Sequence, residues 1–441
     1  MANPATTQNE LVAEKPRFES NLFNLVPLII LLTYLMMGGH FFFIAEGDYQ
    51  AEGNFNHQII LSLSFFLAFL VLVRKPKLSI EILKANWLLL IFLLYALISC
   101  AWSPAPFVSF KRWIQFLGLI LVGMAAISNV SGIKSMISIF RLFTAASLTL
   151  SFFLPLIKPS EPFMKISGIW NGLYGHKNLL GAACLIGLAV WLPAMFSKST
   201  KIEYRCSFAM VLLSFLLLFL SRSTTSLLVC LVILAAFFVI TLRVPITVKM
   251  FLTPTPVLAI YLLIVNLTPY SPMEFVLDIV GKDATFTGRT DLWAAVMDSF
   301  RENKYFGLGY NGFWVGKFGE SSFFTSSLNW SRMVQAHNGY LDILNELGMV
   351  GFAIFLAFLG QALFRGFRFL KRNRQQGLVF LLIIIIAILS NFMESSFCRL
   401  VTLIWLMFLV SFVVMTPVNQ NEFSLESEPP EKKQLRKVQY V

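Results

Sequence analysis

Residues 207–242 read SFAMVLLSFLLLFLSRSTTSLLVCLVILAAFFVITL, and Arg222 is the one charged residue among them. Two apolar runs, 207–221 and 225–242, flank the short polar segment around Arg222. Each run approaches the roughly 20 residues that a helix needs to cross a bilayer. Backbone amides in lipid must be hydrogen-bonded within their own segment, which favours helices. The stretch therefore predicts two membrane-spanning helices joined by a tight polar turn.

The composition of the whole chain extends this interpretation. Of 441 residues, 57% are hydrophobic and only 13% are charged, and the mean hydropathy is +0.73. A soluble domain has roughly 25% charged residues, so a water-soluble fold is excluded. We predict an all-α polytopic membrane protein of about twelve transmembrane helices. The predicted spans are 23–44, 58–73, 87–101, 113–128, 137–156, 178–196, 207–221, 225–242, 250–267, 347–364, 378–392 and 400–416.

The net charge of +12 indicates orientation rather than a nucleic-acid partner. Lys and Arg are enriched in short cytoplasmic loops of membrane proteins, and the basic loops of this chain alternate as that rule requires. The prediction is a multi-pass inner-membrane protein with both termini in the cytoplasm. The basic loops contain Arg74, Lys75, Lys77 and Lys84; Lys198, Lys201 and Arg205; Arg243 and Lys249; and Arg365, Arg368, Lys371, Arg372 and Arg374.

The predicted spans divide the chain into five parts. One loop, 268–346, is much longer than the others and faces the periplasm in this topology. It contains Trp293, Trp314 and Trp330, which a disordered linker would lack, so we expect it to fold over the membrane surface. The parts are a cytoplasmic tail (1–22), nine helices (23–267), the large periplasmic loop (268–346), three helices (347–416) and a disordered cytoplasmic tail (417–441).

Two arginines on the periplasmic side are candidates for binding an anion. Thr287 to Trp293 has the signals of a helix start, which would place Arg289 beside exposed helix amides, a natural phosphate site. Arg222 must lie at or slightly inside the membrane boundary, where a cation is costly and usually has a partner or a function. The alternatives are a solvated arginine at a helix end for Arg289 and a side chain that reaches the interface for Arg222.

His337 is the candidate base, because it precedes a helix whose apolar face is marked by Leu341, Leu344 and Leu347. A helix N-terminus disfavours the imidazolium, so we expect a neutral ring that accepts a proton. The alternative is a structural histidine near a helix cap. His176 and Lys177 place two further basic groups before a span on the same side, either for substrate or as a cap and interfacial anchors.

Several other patterns argue against competing functions. Gly307 to Gly312 matches the dinucleotide fingerprint, but no strand precedes it, so we interpret it as a turn. Few charges lie inside the spans, which disfavours an ion-coupled transporter; Glu394 and Arg399, the nearest exceptions, are interpreted as loop residues. Neither paired cysteines nor an acidic cluster indicates a metal, and no cofactor is predicted.

Five short motifs, taken in their order along the chain, resemble those of a known family over roughly residues 160–360. The chain resembles the bacterial O-antigen ligase and O-antigen polymerase superfamily, which includes exopolysaccharide repeat-unit polymerases. The first five spans match only in hydrophobicity. The motifs are Gly175-His176-Lys177-Asn178, Ser221-Arg222-Ser223, Thr287-Gly288-Arg289-Thr290-Asp291-Leu292-Trp293, Gly307-Leu308-Gly309-Tyr310 and Ala336-His337-Asn338-Gly339-Tyr340.

The resemblance implies a C-type glycosyltransferase fold that uses an undecaprenyl-diphosphate-linked oligosaccharide donor without metal or nucleotide. The acceptor would be lipid A core in a ligase, or another lipid-linked repeat unit in a polymerase, and the segments at Gly175 and Ala336 slightly favour the polymerase. Other polysaccharide assembly proteins are candidate partners. A non-enzymatic flippase of lipid-linked sugar is the alternative from another class.

The same resemblance assigns roles to individual residues. Arg222 and Arg289 would hold the donor diphosphate, and His337 would act as general base toward the acceptor hydroxyl. The adjoining motif residues His176, Lys177, Asn338 and Tyr340 are expected to contact substrate.

Overall fold

The computed structural model describes most of the chain, and its ranges contain helices and no strand. The described residues are 18–37, 55–128, 132–158, 169–197, 200–242, 244–252, 289–315, 321, 335–399 and 402–416. The helices are α1 (Phe18–Met37), α2 (Phe55–Val73), α3 (Pro76–Ala85), α4 (Trp87–Ser99), α5 (Pro106–Ile127), α6 (Gly132–Ile157), α7 (Lys177–Met195), α8 (Lys201–Leu220), α9 (Thr224–Thr241), α10 (Ile246–Leu252), α11 (Arg289–Glu302), α12 (Gly339–Arg372), α13 (Arg374–Ser390) and α14 (Leu403–Val414), with short 3-10 turns at Cys100–Trp102 and Gly172–Tyr174.

The all-helical membrane prediction is confirmed, whereas the number of spans stays a prediction. Within the described ranges six helices are long and apolar enough to cross a bilayer: α5, α6, α7, α8, α9 and α12. The pair α2 and α3, bent by 107°, passes the same test together, and α1, α4, α13 and α14 are shorter apolar helices. Most of the predicted span 250–267 lies outside the described residues, as do both predicted tails apart from 18–22 and much of the loop 268–346.

Helix α12 is broken near its start by Gly348, which has φ +65° and ψ −173°. A side chain there would be strained, and its Cβ would lie 2.4 Å from the backbone carbonyl of Tyr305. The break separates a short segment, Gly339–Leu347, from the long apolar remainder of the helix. The residues just after His337 can therefore take a direction that the membrane-spanning part does not impose.

The glycine turn at residues 307–312 packs directly against this break. The amide of Gly309 donates to the Glu346 carbonyl (2.8 Å), and the amide of Met349 donates to the Lys304 carbonyl (2.8 Å). A Cβ on Gly307 would meet the Glu346 backbone at 2.5 Å. The interpretation of this stretch as a turn rather than a nucleotide-binding fingerprint is confirmed, because its glycines permit close contact between backbones.

Basic residues collect at the opposite end of the helix bundle. The Lys75 ammonium donates to the Ser128 carbonyl (2.8 Å), Arg365 donates to the Asn86 side chain (2.5 Å), and Arg374 donates to the Thr241 carbonyl (2.7 Å). Two of these acceptors lie at the ends of α5 and α9, where helix carbonyls lack intrahelical partners and the helix dipole favours cations. Lys75, Arg365 and Arg374, from two of the predicted basic loops, thus share one end of the molecule.

Candidate functional site

Three helix N-termini meet at the end of the bundle away from the basic loops. Ser223 caps α9, and its hydroxyl donates to the Asn178 side chain in the first turn of α7 (3.0 Å). The Asn178 amide donates to a Glu394 carboxylate oxygen (2.6 Å). The other Glu394 oxygen lies 3.3 Å from His337 Nδ1, just before α12. A continuous line of four polar side chains therefore joins α9, α7, the loop after α13 and the start of α12.

The contact with Glu394 favours one tautomer of His337, in which Nε2 is available to substrate. In the tautomer whose Nδ1 donates to the Glu394 carboxylate, Nε2 keeps its lone pair; the Gln335 side-chain nitrogen also lies 3.4 Å from Nδ1. The sequence did not predict this contact. The separation of 3.3 Å exceeds the roughly 2.7–2.9 Å of a strong charge-assisted bond, as is common before substrate binds.

The backbone around His337 is held from several directions. The Trp293 indole of α11 donates to the Ala336 carbonyl (2.9 Å). The Ala336 amide donates to Asp342 Oδ1 (3.2 Å), and the Trp314 indole donates to the same oxygen (2.7 Å). These bonds connect α11 and the segment just after the glycine turn to the residue before His337, so the position of the ring depends on the folded part of the long loop.

A buried ionic cluster adjoins the segment that holds His337. Arg399 lies 2.8 Å from Asp342 and 3.0 Å from Glu346, and it donates to the Asn311 side chain (2.8 Å). Arg112 of α5 donates to the Asn311 carbonyl (2.7 Å). Burial opposes the Arg399 charge, but the carboxylates of Asp342 and Glu346 outweigh it and raise the pKa of Arg399. Its charge is therefore permanent and neutralises part of the cluster.

Backbone strain is concentrated at this site. Among the described residues, the non-glycine positions with positive φ are Arg222 (46°), Asn311 (50°), His337 (51°) and Cys398 (55°). Each such conformation costs on the order of 1–3 kcal/mol and persists only where the surrounding structure enforces it. Two of them are predicted site residues, and the other two lie in or beside the ionic cluster. The positive φ values therefore cluster around the candidate site.

The structure describes the side chain of Arg222 but only the backbone of Arg289. Arg222 is exposed, between the buried Ser221 and Ser223, so it adjoins the polar line at the start of α9. Arg289 is the first residue of α11, and its side chain lies outside the described part of the structure. It precedes Trp293, whose indole donates to the Ala336 carbonyl, by one helical turn.

The other predicted site residues have internal contacts. His176 caps α7 by accepting a bond from the Asn178 amide at Nδ1 (3.2 Å), and Lys177 is the first residue of that helix. Asn338 caps α12 through the amides of Tyr340 and Leu341 (both 3.1 Å). The Tyr340 hydroxyl donates to the Ile388 carbonyl (2.8 Å). Contact of these residues with substrate stays a prediction.

Sequence reasoning missed the parts of the site that Glu394 and Arg399 supply. Both are loop residues, as predicted. Glu394 contacts the His337 ring, and Arg399 pairs with Asp342, which accepts a bond from the Ala336 amide. The sequence feature that points to Glu394 is its position beside a predicted span, on the same side of the membrane as His337. Within the described residues no three His, Cys, Asp or Glu side chains could hold a metal ion, and metal independence stays a prediction.

The molecule described so far is a multi-pass helical membrane protein with a polar site at one end of its bundle. A family model described as O-antigen ligase matches residues 209–356, which include Ser223 and His337 but neither Asn178 nor Glu394. The chain is 24% identical over 306 residues to the exopolysaccharide production protein ExoQ of Rhizobium meliloti, covering 67% of this chain and 68% of that one. These matches confirm the resemblance to the O-antigen ligase and polymerase superfamily, and they support a glycosyltransferase-like protein.

Proposed function

We propose that the chain transfers a glycan from undecaprenyl diphosphate to an acceptor sugar on the periplasmic side of the inner membrane. The observation that carries the proposal is the line from Ser223 through Asn178 and Glu394 to His337. It brings together three motifs that are far apart in the sequence and that would otherwise have unrelated structural explanations. A candidate base and a candidate anion site then lie at the same end of the bundle.

The donor diphosphate would be stabilised by positive potential from several sources. The N-termini of α7, α9 and α12 each carry about half a positive charge. The exposed Arg222 adjoins them, and Arg289 begins α11, the helix whose Trp293 contacts the Ala336 carbonyl. Departure of the diphosphate builds negative charge, which fixed guanidiniums stabilise electrostatically. This supports, without requiring a metal, the assignment of both arginines to the donor.

The chemical step that fits this geometry is a direct displacement at the donor sugar. The acceptor hydroxyl loses its proton to Nε2 of His337 while its oxygen forms the new glycosidic bond. The bond between the anomeric carbon and the phosphate oxygen breaks, and its electron pair leaves with undecaprenyl diphosphate. Glu394 holds the Nδ1 proton and stabilises the imidazolium that results.

A repeat-unit polymerase is the form of this activity that we favour. ExoQ is described as an exopolysaccharide production protein, and the match to it covers about two thirds of both chains. The second candidate is an O-antigen ligase that transfers the glycan to lipid A core, as the description of the matching family model suggests. A flippase would need no base beside a carboxylate, so the His337 geometry argues for an enzyme.

Reconstitution with defined substrates tests the proposal. Purified protein in liposomes receives a lipid-linked repeat unit alone, or the same donor with lipid A core. A polymerase forms dimers and longer glycans from the donor alone, and each transfer releases undecaprenyl diphosphate. A ligase releases it only when lipid A core is present. Absence of release under both conditions, with folded protein, would contradict a transferase.

A further inference from the structure

A polar cavity lies at the basic end of the bundle, opposite the end that holds His337. It has a volume of about 570 Å³ and is formed by the end of α9, the start of α10 and the junction of α12 with α13. Lys249, Lys371 and Arg374 line one part of it, and no acidic residue occurs among its described lining residues. The apolar side chains of Ile240, Val244 and Leu370 also line it. The cavity therefore combines cations with hydrocarbon.

Two of these cations are held close together. The Lys249 ammonium donates to the Ile240 carbonyl and an Arg374 nitrogen donates to the Thr241 carbonyl, both at 2.7 Å. Because the two carbonyls belong to consecutive residues, the cations are neighbours. Burial and the Arg374 charge lower the pKa of Lys249. The end of α9 supplies only about half a negative charge, so the cavity keeps an excess of positive charge.

We propose that this cavity binds the phosphate of an anionic phospholipid. Arg374 offers a planar fork of donors, and Lys249 and Lys371 offer point charges, the combination that recognises a phosphate group. The ends of α9 and α12 should lie near the bilayer surface, and basic pockets between helices at a cytoplasmic surface suit anionic head groups. The glycerol and first acyl carbons would contact Ile240, Val244 and Leu370.

A free phosphate has the same chemistry, so the test must separate the two sources. Native mass spectrometry on the detergent-purified full chain measures the retention of phosphatidylglycerol, phosphatidylcholine or inorganic phosphate, each added alone. We expect phosphatidylglycerol to be retained and the other two to be lost. Equal retention of phosphatidylcholine would overturn the proposal, as would inorganic phosphate that displaces phosphatidylglycerol at equal concentration.

Variants then connect the binding to this cavity. The triple substitution Lys249→Gln, Lys371→Gln and Arg374→Gln should weaken phosphatidylglycerol binding at least about tenfold, because each cation near an anionic head group contributes to affinity. The double variant Lys201→Gln and Arg205→Gln removes exposed charge from α8, outside the cavity lining, and should bind as the wild type does.

A single charge reversal provides a second test in case the triple variant does not fold. Lys371 is exposed, so Lys371→Glu should keep the fold while it weakens phosphatidylglycerol binding at least about tenfold. Wild-type binding by this variant, or a loss of the same size in the control at α8, would mean that general surface charge rather than the cavity holds the lipid.

Discussion

His337 is the residue on which the proposed chemistry depends most directly. If its Nε2 accepts the acceptor proton, His337→Ala should lower turnover by about 100-fold or more, the usual scale of acid-base catalysis, with little change in donor binding. His337→Gln should not restore turnover, because an amide forms hydrogen bonds but takes no proton. Release of undecaprenyl diphosphate measures turnover. A glutamine variant nearly as active as the wild type would leave His337 a structural role only.

Glu394 provides a second, independent prediction at the same ring. Glu394→Gln keeps an oxygen for the Asn178 amide but removes the charge that stabilises the imidazolium, so turnover should fall by roughly 10- to 100-fold. The melting temperature should change little, because the Gly339 amide bonds to the backbone carbonyl of Glu394 and not to its side chain. Reduced donor affinity with unchanged turnover would mean that Glu394 helps to bind the donor and does not assist the base.

Arg222 and Arg289 are predicted to act through charge and shape together. Replacing either with Ala should abolish detectable transfer, and Lys should restore only part of it, because an ammonium cannot reproduce the guanidinium fork. The matched control is Arg301→Ala, an exposed arginine of α11 that pairs with Asp298 on the surface. Full transfer by Arg289→Ala in membranes with lipid-linked donor would remove this residue from the donor site.

At the scale of an element, the break in α12 determines where the His337 segment lies. Gly348→Ala places a side chain at φ +65° with its Cβ 2.4 Å from the Tyr305 backbone, so we expect a loss of about 2 kcal/mol or more in stability and a large loss of transfer. Melting temperature in detergent and turnover in liposomes measure the two effects.

Gly360 in the same helix is the matched control for this prediction. No atom lies within 4 Å of a Cβ built there, so Gly360→Ala should leave transfer unchanged and raise helix stability slightly, by about 0.5–1 kcal/mol. Similar behaviour of the two variants would mean that α12 tolerates a regular helix at residue 348, and that the break does not position His337.

The ionic cluster shows how elements from distant parts of the chain cooperate. Asp342 of α12 accepts bonds from the Ala336 amide and the Trp314 indole while it pairs with Arg399 from the loop before α14. Removal of one partner from a buried pair is strongly destabilising, because the other charge remains without compensation. The cluster therefore ties the base, the glycine turn and the last helices into one unit.

For the whole molecule, the basic loops predict a definite topology. In a variant without native cysteines, a cysteine at Ser322 should react with an impermeant thiol reagent in intact spheroplasts, whereas a cysteine at Asn373 should react only after lysis. Cys206 must be replaced first, because it is exposed. Labelling at residue 373 with protection at residue 322 would invert the proposed orientation.

The amino-acid sequence by itself determined the helical membrane class, most helix positions and the start of the segment that follows His337. These features depend on local signals: apolar runs, caps such as Ser223 and Asn338, and turn-forming glycines. Composition and motif order were also sufficient to predict the superfamily, because both are read from the sequence without knowledge of residue contacts. The glycine turn was likewise assigned correctly, although its reason, contact with the break in α12, was not visible.

Only the tertiary structure decided which polar groups meet. Asn178 and Glu394 are 216 positions apart, and Glu394 and His337 are 57 apart. Hydrophobic periodicity specifies which face of a helix is buried but not which loops adjoin at the ends of a bundle, so any acid on that side was an equal candidate. The choice follows from how α7, α9, α12 and α13 pack, since that packing places one carboxylate between the α7 terminus and the imidazole.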